Sequence, residues 1–190
     1  MVEKRTEFLK QVVEALVFAS DVPISAEQIR GVVEEVTVAQ IRKMVDEMNH
    51  EYNSAGRAFQ IIRVANGYQM ATRELYASWI RKFLQKRSSS KLTQAALETL
   101  SVIAFRQPVG KSEISNIRGV NCDGVMRTLL ERKLVTISGR SQGPGRPLLY
   151  KTTREFLRYF GVNEISDLPK PREIEELLKE DKHLPEDAVE

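Results

Sequence analysis

The sequence is poor in the residues that carry covalent and metal chemistry. Its 190 residues include one cysteine, Cys122, and two histidines, His50 and His183. A single thiol cannot close an internal disulfide, so nothing points to a disulfide-stapled secreted domain. The three residues lie far apart along the chain, with none of the close-spaced ligand pairs that zinc sites use. No metal and no cofactor is therefore expected. No apolar run approaches the roughly 18 to 20 residues needed to span a bilayer, so no membrane contact is expected. The opening residues, Met1 to Glu7, interleave acids with bases, unlike a signal or transit peptide. The expected location is the cytoplasm. No serine sits in nucleophile-elbow spacing, and no acid, base and oxyanion site come together, so no enzyme is expected. Val109-Gly110-Lys111-Ser112 imitates the end of a phosphate-binding loop, but Phe105 stands where that motif needs glycine. The better reading is a helix capped by Ser112.

Charge is abundant but uneven. The net charge is only +3. Residues 91–161 hold 12 basic and 5 acidic side chains, whereas residues 162–190 hold 4 and 10. The basic stretch suits an anionic partner, and the acidic tail could equally fold back to neutralise it.

The chain also repeats itself. Val17-x-Ala19-x-x-x-Pro23-Ile24 recurs as Val102-x-Ala104-x-x-x-Pro108-Val109, and Ile-Arg-Gly-Val occurs at both 29–32 and 117–120. Thr72-Arg73-Glu74-Leu75 returns as Thr153-Arg154-Glu155-Phe156. A period near 80 residues is too long for a solenoid and reads as two tandem domains. In the first, Phe8, Leu9, Val12, Val13 and Leu16 mark a helical stripe. Pro23 ends that helix, and Ser25 with Gln28 predicts a capping box for a second helix, Ala26 to Val33. Thr37 predicts the cap of a third, whose buried face is Val38, Ile41, Met44, Val45, Met48 and Tyr52. Phe59 to Val64 and Tyr68 to Thr72 read as strands joined by a turn containing Asn66-Gly67.

The second copy follows the same plan. Thr93 caps a helix, Val109 is a short strand, Ser112 to Ile117 a helix, and Asn121 the cap of the next. Val135 to Ser138 and Leu148 to Thr152 form a hairpin, and a fourth helix starts near Thr153. Three helices followed by a hairpin is the winged-helix plan, so the expected fold is a mostly α (α+β) tandem of two winged-helix domains. The expected boundaries are an N-terminal domain at 1–86, a serine-containing linker at 87–91, a C-terminal domain at 92–162 and a partly disordered acidic tail at 163–190. A short helix within that tail, Glu173 to Leu178, is compatible with its sequence.

Two surfaces of the second domain invite a partner. The third helix opens with Asn121, Cys122, Asp123 and Gly124, followed by Arg127. Asparagine and arginine can read bases, while Asp123 opposes phosphates and Gly124 removes a reading side chain. The wing loop, 139–147, contains Pro144-Gly145-Arg146-Pro147 and presents Arg140 and Arg146. These arginines suit a phosphate or a carboxylate; pairing with Asp123 or Glu155 of the same chain is the alternative.

Leu92 to Leu100, Gln107-Pro108-Val109, Ile117 to Asn121, Asp123 to Leu129, Pro144-Gly145-Arg146-Pro147-x-x-Tyr150-x-Thr152-Thr153, Phe156-Leu157-x-x-Phe160-Gly161 and Asp167-Leu168-Pro169 closely resemble the segregation and condensation protein B family. Residues 7–84 fit that family more loosely, and Cys122 stands where a small polar residue is usual. The resemblance implies two winged-helix domains, a homodimer formed mainly through the N-terminal domain, and a C-terminal domain that binds the kleisin, segregation and condensation protein A. It implies an SMC ATPase engaged through that kleisin, DNA met indirectly or weakly, and a nucleoid-associated, non-catalytic role in chromosome condensation and partition. Candidate residues for the partner site are Arg118, Asn121, Asp123, Arg146 and Tyr150. The competing reading is a winged-helix transcriptional regulator whose helix 121–133 reads DNA.

Overall fold

The computed structural model describes residues 2–84 and 92–168. The expected linker at 87–91 and the possible helix at 173–178 lie outside them. Both domains adopt the predicted plan. The first contains α1 (Val2–Ala19), α2 (Ala26–Val32), α3 (Val38–Ser54), β1 (Phe59–Val64) and β2 (Gly67–Thr72). A 3-10 turn, Glu74–Tyr76, then leads into α4 (Ala77–Leu84). The second contains α5 (Gln94–Arg106), β3 (Val109–Gly110), α6 (Lys111–Arg118), α7 (Asp123–Glu131), β4 (Val135–Arg140), β5 (Leu148–Thr152) and α8 (Arg154–Phe160).

Local chemistry sets the helix starts. The Ser25 hydroxyl accepts from Gln28 N at 3.2 Å, and the Gln28 side chain accepts from Ser25 N at 2.9 Å. Thr37 and Gln40 form the same reciprocal box at α3. Each satisfies two backbone donors that a helix start leaves unpaired. Thr93 and Thr153 cap α5 and α8 through their hydroxyls.

Each domain has its own core. In the first, Val13, Val17, Ile29, Ile41 and Met48 are almost completely buried, and all but Met48 reach zero exposure. In the second, Leu100, Ile103, Ile114 and Leu129 do the same work. Burying each such side chain contributes roughly 1.5–3 kcal/mol. Lys10 is the one charged residue drawn into the first core's edge among the described residues. Its ammonium bonds Glu51 at 2.7 Å and Glu7 at 2.8 Å, tying α1 to α3. These partners, Glu51 foremost, raise its pKa above the ordinary lysine range, so it stays charged.

The hairpins are not free-standing. β1 and β2 pair antiparallel, and Ile24 adds a single bridge to Tyr68. In the second domain that bridge grows into a strand, giving the order β3-β5-β4. Ile24 and Val109 are the equivalent positions of the sequence repeat, and both pair with a tyrosine of the second wing strand, Tyr68 and Tyr150.

Three local expectations need correction. The first wing turns at Ala65 and Asn66, with φ of 51° and 59°, and Gly67 already belongs to β2. Gly67 is there for space: a Cβ would lie 2.9 Å from the Pro23 carbonyl carbon. Ser112 does not cap α6; Gly110 occupies the cap position and makes no side-chain bond. At α7 the cap position falls on Cys122, and Asn121 acts one residue earlier, its side-chain oxygen accepting from Asp123 N at 2.7 Å.

The first wing tip meets the second domain. Ala65 N donates to Val162 O at 2.9 Å, and Asn66 bonds the side chain and carbonyl of Asn163 at 3.3 and 3.0 Å. Ala65 is accordingly buried although it lies at a hairpin tip.

Gly67→Ala is expected to cost about 1–3 kcal/mol, because the added methyl overpacks against Pro23 backbone. Gly31→Ala, inside α2 with open space around it, is expected to stabilise by about 0.5–1 kcal/mol. Urea melts of the two variants would check the contrast.

Candidate functional site

The five sequence candidates do not form one patch. Arg118, at the end of α6, turns inward and its side chain is only 13% exposed. Its guanidinium donates to Ala95 O at 2.7 Å and to the Thr99 hydroxyl at 2.5 Å, and pairs with Glu98 at 2.7 Å. Thr99, itself fully buried, donates on to Ala95 O. Arg118 thus staples α6 to α5. Tyr150 is buried in β5 and packs in the core. Both residues shape the domain from within.

Asn121 and Asp123 are exposed at the start of α7. Asp123 forms an ion pair with Lys111 at the first position of α6. That contact raises the lysine pKa, the hydrogen bond to Asp123 being the main cause and the nearby Tyr150 a smaller one. Lys111 and Asp123 are both about half exposed, at 48% and 55%, so the pair is open to exchange for a partner's charges. Lys111 was not among the candidates, because the sequence gives no sign that the helix starts of α6 and α7 meet. Arg146 stands apart at the wing tip with φ of 43°. It pairs with neither Asp123 nor Glu155: those carboxylates bond Lys111 and Arg158, and the Arg146 carbonyl accepts from Arg140 at 3.3 Å.

The outward side of α7 is a weak DNA reader. Arg127 bonds Glu131 at 2.9 Å, Asp123 is acidic, and Gly124 offers no side chain. The helix therefore presents almost no uncompensated positive charge to phosphates.

The first domain carries a different kind of surface. Leu75, Trp79 and Phe83 follow at one-turn spacing through the 3-10 turn and α4, and are 75%, 67% and 77% exposed. Beside the root of this arm lies an open apolar groove of about 550 Å³, bounded by α1 and the hairpin, with Ala15, Phe18, Phe59 and Met70 among its walls. Thr72, at the end of β2, lines the groove five residues before α4 begins. The sequence reads as a helix around residues 74–86, but only the fold reveals that no described residue covers its apolar stripe.

The two kinds of candidate should separate on mutation. Arg118→Ala is expected to lose about 2–3 kcal/mol, through charge-assisted bonds to a buried hydroxyl and a carbonyl. Asp123→Ala removes only an exposed pair and is expected to change stability by less than about 1 kcal/mol. Chemical denaturation of both would check this.

Comparison with known proteins covers both domains. The chain matches the family described as segregation and condensation complex subunit ScpB over residues 11–171. It is 43% identical over 176 residues to segregation and condensation protein B of Syntrophotalea carbinolica, covering 93% of this chain and 88% of that protein. With the protein of the same name from Brevibacillus brevis it shares 42% identity over 164 residues, 86% and 84% of the two chains. Among solved structures, a dimer of an ScpB N-terminal domain complexed with a ScpA peptide is 26% identical, covering 42% of this chain and 98% of that one, with a TM-score of 0.38. No helix among the described residues is long and apolar enough to cross a membrane. With a family match that runs through both winged-helix domains and relatives above 40% identity over most of its length, the chain belongs to the ScpB family of segregation and condensation complex subunits.

Proposed function

We propose that the protein is a non-catalytic subunit of a condensin-like complex. It binds the kleisin ScpA and through it serves an SMC ATPase in compacting and partitioning the chromosome before division, at the nucleoid in the cytoplasm. The observation that carries this reading is the family match over residues 11–171, which leaves neither domain unaccounted for. The partner's identity comes from the ScpA peptide held by the related N-terminal domain dimer.

In this reading the second domain contributes a kleisin contact at the junction of α6 and α7. Asn121 and the exposed Lys111–Asp123 pair offer donors and acceptors, and Arg146 adds a cation at the wing. Arg118 and Tyr150 hold the frame behind them. An exposed ion pair contributes little to folding, so a partner can replace it at small cost. The first domain contributes self-association. Leu75, Trp79 and Phe83 of one copy seat in the Phe18–Phe59–Met70 groove of a second copy, and the reverse. Because the groove begins at the root of the arm, a two-fold axis near Thr72 makes this exchange reciprocal and closed. Each large aromatic buries about 150–250 Å², so two arms supply a large share of the ~1,600 Å² of a stable interface.

Size-exclusion chromatography with light scattering, with and without the co-encoded kleisin, tests the whole reading. The expected result is a dimer that shifts to a stable kleisin complex. A dimer that ignores the kleisin would sink the proposal. Asp123→Ala with Arg146→Ala is expected to weaken kleisin capture by about tenfold, or about 1.4 kcal/mol, with the melting temperature nearly unchanged. Trp79→Ser with Phe83→Ser is expected to yield a folded monomer with native circular dichroism. A variant that stays dimeric would place the self-association face elsewhere.

A further inference from the structure

The second domain sorts its charges by face. Residues 92–168 hold 11 basic and 7 acidic side chains. In this domain ion pairs join Lys111 to Asp123, Arg118 to Glu98, Arg127 to Glu131 and Arg158 to Glu155. All four lie on helices. Five other cations, Arg106, Lys133, Arg140, Lys151 and Arg154, are exposed and form no ion pair among the described residues.

These five follow the hairpin from root to tip. Arg140 and Lys151 line an open groove of about 570 Å³ on the outer face of the sheet, together with Gln107, Ser138 and Thr152. Arg106 immediately precedes Gln107, whose side-chain oxygen accepts from Thr152 N at 2.7 Å, fixing the end of α5 to β5. Lys133 and Arg154 flank the root, where the Thr153 hydroxyl donates to Lys133 O at 2.6 Å. β4 and β5 thus place Arg140 and Lys151, which form no ion pair among the described residues, beside polar hydroxyl and amide groups, with Arg106, Lys133 and Arg154 on the adjoining segments.

We infer that this outer face of the second wing binds the phosphate backbone of duplex DNA without sequence preference. Uncompensated lysine and arginine on one face is the electrostatic footprint of phosphate contact. A duplex fits better than a single strand because no aromatic side chain lines the groove, and unstacked bases need such a platform. Sequence is not read, because the helix that would enter the major groove has its arginine tied to Glu131. The inference is distinct from kleisin capture although both involve the second wing, because none of Lys111, Asp123 and Arg146 lines this groove.

Fluorescence anisotropy of the full chain with two unrelated 30-base-pair duplexes and one single strand tests it. Affinities for the two duplexes are expected to agree within about twofold, and to exceed that for the single strand. A plot of log K against log salt is expected to slope at about −2 to −4, matching two to four neutralised phosphates. Arg140→Glu with Lys151→Glu is expected to weaken binding at least tenfold while leaving the melting temperature near that of the parent. Arg127→Ala is expected to change it by less than twofold. No binding at low salt, strong preference for one duplex or for the single strand, or a loss confined to Arg127→Ala would each overturn the inference.

Discussion

Both domains hang on one backbone pairing, between the short extended segment that follows the first helix and the tyrosine of the second wing strand. In the first domain Ile24 and Tyr68 exchange two hydrogen bonds, at 3.0 and 2.8 Å. In the second, Val109 and Gly110 pair with Tyr150 and Leu149. A two-stranded hairpin is marginal alone, so this third segment does more than lengthen the sheet. It pins the hairpin to the end of the first helix and holds the tyrosine ring over the core. Pro23 and Pro108 sit one residue before the pairing, four and two residues beyond the ends of α1 and α5, where a proline costs the ladder no donor. Gly67 belongs to the same constraint, since the pairing brings Pro23 too close to β2 for any side chain there.

Once that frame is closed, the surfaces that remain differ between the copies. The first wing is a two-residue turn at Ala65 and Asn66, and its tip lies against Val162 and Asn163. The second wing runs out through residues 141–147, closed at its base by Ser141 N donating to Pro147 O at 2.8 Å, and stays exposed. The module therefore uses its hairpin inward in one copy and outward in the other. The apolar surplus goes the other way: the first domain carries the α4 stripe and the groove beside it, and the second carries Arg140 and Lys151, which form no ion pair among the described residues.

Much of the frame was legible from residue pattern because its causes are local. Ser25 with Gln28, Thr93 and Thr153 cap helices through contacts three residues away, and of the predicted α3 stripe Ile41, Met44, Val45, Met48 and Tyr52 are buried, with Val38 part-buried against the core. The errors arise where a distant segment decides. Asn66-Gly67 reads as a turn in isolation, but Pro23 reserves Gly67 for a close approach and moves the turn back one residue. Gly110, two residues before Ser112, has extended backbone at φ −84° and ψ 152°, and the helix starts at Lys111, so the cap falls on Gly110 instead. The polarity of Arg118 suggests a surface role, yet Ala95 O and the buried Thr99 hydroxyl, about twenty residues earlier, draw it inward. Lys111 and Asp123 meet only because α6 and α7 start side by side, which spacing along the chain does not reveal.

The junction between the domains explains how such unlike surfaces can act together. Among the described residues its hydrogen bonds are one from the Ala65 backbone and two between Asn66 and Asn163, beside a crevice lined by Pro23 and Gln28 of one domain and Arg154 and Arg158 of the other. Each such bond is worth about 0.5–1.5 kcal/mol net, far less than either apolar core. The junction therefore adds little to the stability of the domains, whose cores are built from separate sets of residues. What it supplies is direction, because a turn with two left-handed residues has few alternative shapes and the asparagine pair is matched donor to acceptor. Small polar contacts of this kind between domains are compatible with relative domain motion.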